Sequence, residues 1–230
     1  MAKEDLTMKQ RLLMVFALVA IGGVSLAKAD TLFMSVPGTS YAYTQSGNDG
    51  FTFTPTQDII VTALDYYVSP DTTPVADTLN YSHGVGIYSV STQALLVQTT
   101  VGPCVTTTAC NLVGGGGYSS FASVPVAPTE LYAGDQYMLA GYSQQSEYEN
   151  GGLSDNAGIP LDTIVTPSAV TLNAYYYDYN GSLDYPTTPY STAFVGPDFQ
   201  FTAVPDGGTT LTLLGLAVAG LAGLRRKLSK

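Results

Sequence analysis

Residues 58–68 read DIIVTALDYYV. β-Branched and aromatic side chains dominate this run, a composition that fits a pleated, half-buried strand better than a helix. On its N-terminal side, Phe51-Thr52-Phe53-Thr54 alternates aromatic with hydroxyl, the period of a strand with one face buried. On its C-terminal side, residues 84–90 (GVGIYSV) and 94–101 (ALLVQTTV) read as a hairpin closed across Ser91-Thr92-Gln93. Further strands are expected over 118–126, 136–142, 170–177 and 198–203, with Leu131-Tyr132-Ala133-Gly134-Asp135 as the turn feeding the second of these. No stretch of this region shows a 3.6-residue apolar period long enough for a helix. About eight strands divided by Gly, Pro and Asn turns predict an all-β chain with one β-sandwich of jelly-roll type. Low complexity could instead signal disorder, but the apolar residues are plentiful and periodic.

Charge is segregated along the 230 residues. The eight cations are Lys3, Lys9, Arg11, Lys28, Arg225, Arg226, Lys227 and Lys230. Residues 30–224 contain no Lys or Arg and 16 of the 18 acids, a formal charge of −16. Binding to nucleic acid requires cations that displace phosphate counterions, so that function is excluded. Anionic lipid surfaces and phosphorylated substrates are disfavoured for the same reason, whereas divalent cations stay compatible.

Both ends read as targeting segments. Lys9 and Arg11 precede an apolar run over 12–26, and Ala27-Lys28-Ala29 gives a small-x-small cleavage pattern before Asp30, so residues 1–29 are expected to be a signal peptide with a helical core. An uncleaved anchor is the alternative, but a helix of that run spans only about 22 Å, short of a hydrocarbon core of about 30 Å. At the other end, Val204-Pro205-Asp206-Gly207-Gly208 precedes an uncharged apolar run over 209–224 and the basic cluster Arg225-Arg226-Lys227. A helix there spans about 24 Å, enough to enter a bilayer with some local thinning. The basic cluster would hold its end in the cytoplasm. Gly215, Ala219 and Gly223 give that helix one smooth face. The expected organisation is a signal peptide over 1–29, a β-sandwich over 30–203 and a sorting and anchor segment over 204–230, with a transmembrane helix in the last.

The order of short motif, apolar helix and Arg cluster at the extreme C-terminus resembles the PEP-CTERM sorting tail. The usual motif of that family is Val-Pro-Glu-Pro. Val204-Pro205-Asp206-Gly207-Gly208 is closer to its Val-Pro-Asp-Ser-Gly variant. The resemblance covers about 25 residues. It implies secretion, transient retention in the inner membrane by the tail, and processing by an exosortase. It also implies a bacterium that makes extracellular polysaccharide. A second resemblance lies in His83-Gly84-Val85-Gly86-Ile87-Tyr88, the Leu95-Leu96 strand and Leu131-x-Ala133-Gly134-x-x-Tyr137. These are similar to an uncharacterised jelly-roll domain found in front of such tails. It brings no biochemical activity with it.

Chemistry in the central region is sparse. His83 is the sole histidine, and no Gly-x-Ser-x-Gly elbow accompanies it, so a structural role is expected. Gly114 to Gly117 form a glycine run without the following Lys-Ser/Thr of a phosphate loop. Paired carboxylates for glycoside hydrolysis could be drawn from the 16 acids, but the sequence singles none out. Cys104 and Cys110 bracket five residues and read as a disulfide after export, with free thiols as the alternative. Closing so short a loop would contribute about 2.4 kcal/mol.

Two binding features stand out. Asp178, Asn180, Ser182 and Asp184 place oxygens at alternate positions, as calcium loops do, although the later Glu and the flanking helices of an EF-hand are missing. A solvated Asx turn is the plainer reading. Glu147, Glu149, Asp155 and Asp162 form a second acidic stretch with less pattern. Tyr175, Tyr176, Tyr177 and Tyr179, with Tyr185 and Tyr190 nearby, could stack on sugar rings, although alternate residues of a strand should point into the core. The expectation is a noncatalytic exported surface or matrix protein without a dedicated cofactor, calcium being the one candidate. Its expected partners are an exosortase, the export machinery, the inner membrane and, through the tyrosines, a polysaccharide. A carbohydrate-binding module and a secreted hydrolase are the alternatives.

Overall fold

The computed structural model of the chain describes residues 30–35, 41–68, 79, 81–103, 111–114, 120–151, 159–160, 164–204 and 215. Its strands are β1 (Thr31–Leu32), β2 (Tyr41–Pro55), β3 (Ile59–Tyr67), β4 (His83–Ser89), β5 (Leu95–Val101), β6 (Leu112–Gly114), β7 (Ser120–Leu131), β8 (Tyr137–Gly151), β9 (Ile159–Pro160), β10 (Val170–Asp178), β11 (Thr188–Tyr190), β12 (Thr192–Val195) and β13 (Pro197–Ala203). Among the described residues, no helix is long and apolar enough to cross a membrane. The signal helix and nearly all of the tail helix expected from the sequence lie outside them; Gly215, within the apolar run, is helical.

The strands form two antiparallel sheets. One runs β1-β13-β3-β7-β6, and the other carries β11-β10-β2-β8 with β4 paired to β8 and β5 to β4. Take β1, β2, β3, β4, β5, β7, β8 and β13 as first to eighth. They then stand 1-8-3-6 in one sheet and 2-7-4-5 in the other, the strand order of a jelly roll. The expected hairpin is present: His83 pairs with Val101 and Tyr88 with Leu95, and the Ser89 N–H meets the Ala94 carbonyl at 2.9 Å.

β3 lies inside its sheet, between β13 and β7, so residues 59–67 sit at the centre. Ile59, Val61, Leu64 and Tyr66 are fully buried on β3. Phe33, Phe53 and Phe199 meet with ring centroids 4.7–5.1 Å apart and join the two sheets. The sheets approach closely at Gly141, where a Cβ would stand 2.8 Å from the Pro197 ring.

The sequence underestimates three strands. β2 starts at Tyr41 and β8 runs to Gly151, pairing as a long ribbon from Phe53↔Tyr137 to Tyr41↔Gly151. The outer half of that ribbon (41–46 and 144–151) is polar and carries little apolar alternation to announce it. Leu131, read as part of a turn, is the last residue of β7. It pairs with Ile59 and is wholly buried.

Candidate functional site

The tyrosine cluster is divided by the pleat. Tyr175 and Tyr177 are buried in the core, while Tyr176 faces the opposite side of β10. An irregularity between Leu172 and Ala174 sets this register. It moves the inward positions from Val170 and Leu172 to the odd-numbered tyrosines. Tyr176 is then covered, because the chain after β10 folds back over the outer face of the second sheet. Leu183 and Tyr185 pack there with Tyr88, Met138 and Ala140. Only Tyr179 and Tyr190 of the cluster keep largely open rings, each edge-on to Tyr177 at 4.7 and 5.9 Å.

The suggested calcium loop is the same returning segment, and the carboxylates of its two aspartates are engaged. The Asp178 carboxylate accepts the Thr187 N–H at 2.6 Å, the Thr187 hydroxyl at 3.1 Å and the Thr188 hydroxyl at 2.6 Å. Burial alone would raise this carboxyl, but the hydrogen bonds from Thr188 and Thr187 outweigh it and hold it below the usual carboxylate value. The Asn180 amide donates to Asp184 at 3.5 Å, and the Tyr185 N–H donates to Asp184 at 2.8 Å. Buried Asn48 clamps the loop, donating to the Ser182 carbonyl at 2.7 Å and accepting the Asp184 N–H at 3.1 Å. Among the described residues no group of three or more His, Cys, Asp or Glu converges as a metal site.

Polar groups also lie between the sheets. His83 stacks on Tyr66 at 3.9 Å. It and Ser143 each lie one step beyond the Gly84↔Tyr142 pair, on neighbouring strands. Asp49, on the next strand, accepts the Tyr175 phenol. The fold thus brings a serine, the histidine and an aspartate to one end of the sandwich, and all three are at most 1% exposed. Asp65 and Asp198 form a second buried pair, directly opposite each other on β3 and β13. Burial pushes the Asp65 carboxyl up to about 6, against hydrogen bonds from Ser123 and Gln200 that lower it. Burial and then the Asp65 charge push Asp198 well above the ordinary range.

A further concavity among the described residues carries no signal in the sequence. Two turns, β4–β5 and β7–β8, stand side by side and bound a cleft of about 520 Å³. The Val90 N–H meets the Gln136 carbonyl at 3.0 Å and ties one turn to the other. The β7–β8 turn is braced from three sides. The Tyr132 N–H donates to the Tyr137 phenol at 2.9 Å, the Ala133 N–H to the Asp58 carboxylate at 2.8 Å, and the Gly134 N–H to the Pro55 carbonyl at 2.9 Å. Gly134 has φ +84°, a backbone that glycine adopts readily. These contacts account for Leu131-x-Ala133-Gly134-x-x-Tyr137 as a structural motif. The turn presents Tyr132, 53% exposed, whose hydroxyl donates to Glu130 at 3.3 Å. The Glu130 charge raises that phenol above its ordinary value. Nothing in the sequence ranks Tyr132 above the other 16 tyrosines; the signal available was only its place in the turn motif.

The tail leaves the sandwich at this same end. The Val204 N–H bonds the Asp58 carbonyl at 2.8 Å, so Asp58 joins the cleft turn to the point of departure. Pro205, Asp206, Gly207, Gly208, Arg225, Arg226 and Lys227 lie outside the described residues, as do Cys104, Cys110, Asp155 and Asp162. Glu147 and Glu149 lie on β8, and their side chains are outside the description.

The sandwich hands its last strand, β13, directly to a C-terminal segment that begins at Val204. Residues 203–228 match the VPDSG-CTERM motif, and the chain therefore carries a C-terminal sorting tail of the PEP-CTERM type. Comparison with curated proteins finds no match. Among solved structures, the chain is similar to a mutant VP2 protein of infectious bursal disease virus from derived T=1 particles. The identity is 11% and the TM-score 0.22, over 79% of this chain and 41% of that one. A likeness at that level bears on neither fold nor function.

Proposed function

We propose that the chain is a noncatalytic surface or matrix component, exported through its N-terminal segment, held in the inner membrane by the C-terminal helix and processed by an exosortase. The observation that carries this reading is the tail motif over residues 203–228. Charge segregation supports it: cations occur only beside the two apolar terminal runs, as a translocated domain with a positive-inside end requires. The noncatalytic part draws support from the enclosure of Asp49, His83 and Ser143, which leaves a substrate no approach to them.

Deleting residues 209–230 tests the sorting role. The truncated protein is expected in the soluble extracytoplasmic fraction, and the full chain in the membrane fraction until it is processed. Unchanged membrane retention of the truncated chain would contradict the proposal.

A further inference from the structure

We propose that the cleft between the β4–β5 and β7–β8 turns is a binding site for a neutral saccharide, with Tyr132 as its stacking platform. The site is built from the residues upward. Tyr132 offers a half-open ring whose hydroxyl is tethered to Glu130 and whose backbone is fixed by Tyr137, so the platform is oriented before a ligand arrives. Around it the cleft is rich in acceptors: the carboxylates of Glu130 and Asp135, the Gln136 amide, and the hydroxyls of Ser89 and Ser91. A pyranose matches that set, since its C–H face stacks on an aromatic ring while its hydroxyls donate to carboxylates and amides. The volume of about 520 Å³ lies within the range of small-ligand sites.

Charge narrows the ligand class. No Lys or Arg occurs in residues 30–224, so sulfated, phosphorylated or uronic-acid sugars would enter an uncompensated negative field. A metal ion lacks a third carboxylate or imidazole here among the described residues. An organic cation would be drawn to the two carboxylates, but ammonium groups only donate, so it would leave the hydroxyl and amide donors of the cleft without acceptors. The site is separate from the Tyr175–Tyr179 cluster, and it goes beyond the sorting role, on which it does not depend.

The experiment titrates the purified full chain with neutral glucose, galactose and mannose oligosaccharides, and with spermidine as the cationic probe, by saturation-transfer NMR and calorimetry. Tyr132→Ala and Glu130→Gln are compared with Tyr179→Ala, an exposed tyrosine elsewhere. Thermal unfolding confirms that each variant is folded. At least one neutral oligosaccharide is expected to bind, with affinity roughly tenfold or more weaker in Tyr132→Ala, weaker in Glu130→Gln and unchanged in Tyr179→Ala. Binding of none of these sugars, binding of spermidine alone, or saccharide binding lost in Tyr179→Ala but kept in Tyr132→Ala overturns the proposal. Each of those results leaves the sorting of the tail untouched, because that is read by membrane retention.

Discussion

Asp198 is fully enclosed, and its Oδ1 accepts the Phe199 N–H at 2.7 Å and the Met34 N–H at 3.3 Å, while its Oδ2 has no hydrogen-bond partner among the described residues. Across the ladder stands Asp65, whose carboxylate takes the Gln200 amide at 3.1 and 3.2 Å. Both carboxyls hold their protons more tightly in the folded chain than in the unfolded one. Their contribution to stability is therefore fully present below the unfolded value near 3.8 and is lost as pH rises through about 6 for Asp65, with Asp198 extending the loss upward. The other charge facing the pair is the Asp30 carboxylate, which acts in the same direction. The thermal midpoint should thus be higher at pH 4 than at pH 8. Asp198→Asn should raise the pH 8 midpoint and shrink the difference. A midpoint that rises with pH, or no change in Asp198→Asn, would contradict the assignment. Neither aspartate was legible in sequence, because alternation in strands says which face a residue takes and not what else faces it. For His83 the sequence offered no base or nucleophile motif to read; its burial and its stacking on Tyr66 came only from packing.

At the level of elements, the β7–β8 turn shows what a short motif specifies. Tyr137→Phe removes the acceptor of the Tyr132 N–H and should cost about 1 kcal/mol. Gly134→Ala forces a Cβ onto a backbone at φ +84° and should cost a similar amount, about 1 kcal/mol. Urea unfolding midpoints measure both; an unchanged midpoint in Tyr137→Phe would mean that the phenol does not brace the turn. A larger loss is expected at Gly141, where any side chain must displace Pro197 from the opposite sheet. Gly141→Val should destabilise by roughly 1–3 kcal/mol, as overpacking does. Strand identities were readable wherever one face is apolar: β3, β4, β5, β10 and β13 fall within a residue or two of their expected limits. β1, β6, β9, β11 and β12 were not, since runs of two to four residues carry no measurable period. The tyrosines of β10 illustrate the boundary. Alternation correctly puts half of them inside, but the β-bulge that decides which half is a property of pairing with β2.

For the whole molecule, the segregation of charge and the order of the C-terminal segments spoke in sequence, and they speak to destination. The topology did not: which strands sit side by side depends on long-range pairing, and the jelly-roll order appears only when β13 inserts between β1 and β3. The cleft likewise arises from two turns more than 30 residues apart in the chain, Ser89–Leu96 and Glu130–Tyr137, that only the folded sandwich brings together. The proposed saccharide site stands beside Val204, the residue that follows β13, through the shared contact with Asp58. The central claim is that this chain is exported and cut at both ends, and intact-mass analysis of the protein recovered from its native cells tests it most directly. The account predicts a species beginning at Asp30 and lacking Arg225, Arg226 and Lys227, found outside the cytoplasm. A cytoplasmic species retaining residues 1–29 and the basic cluster would contradict it.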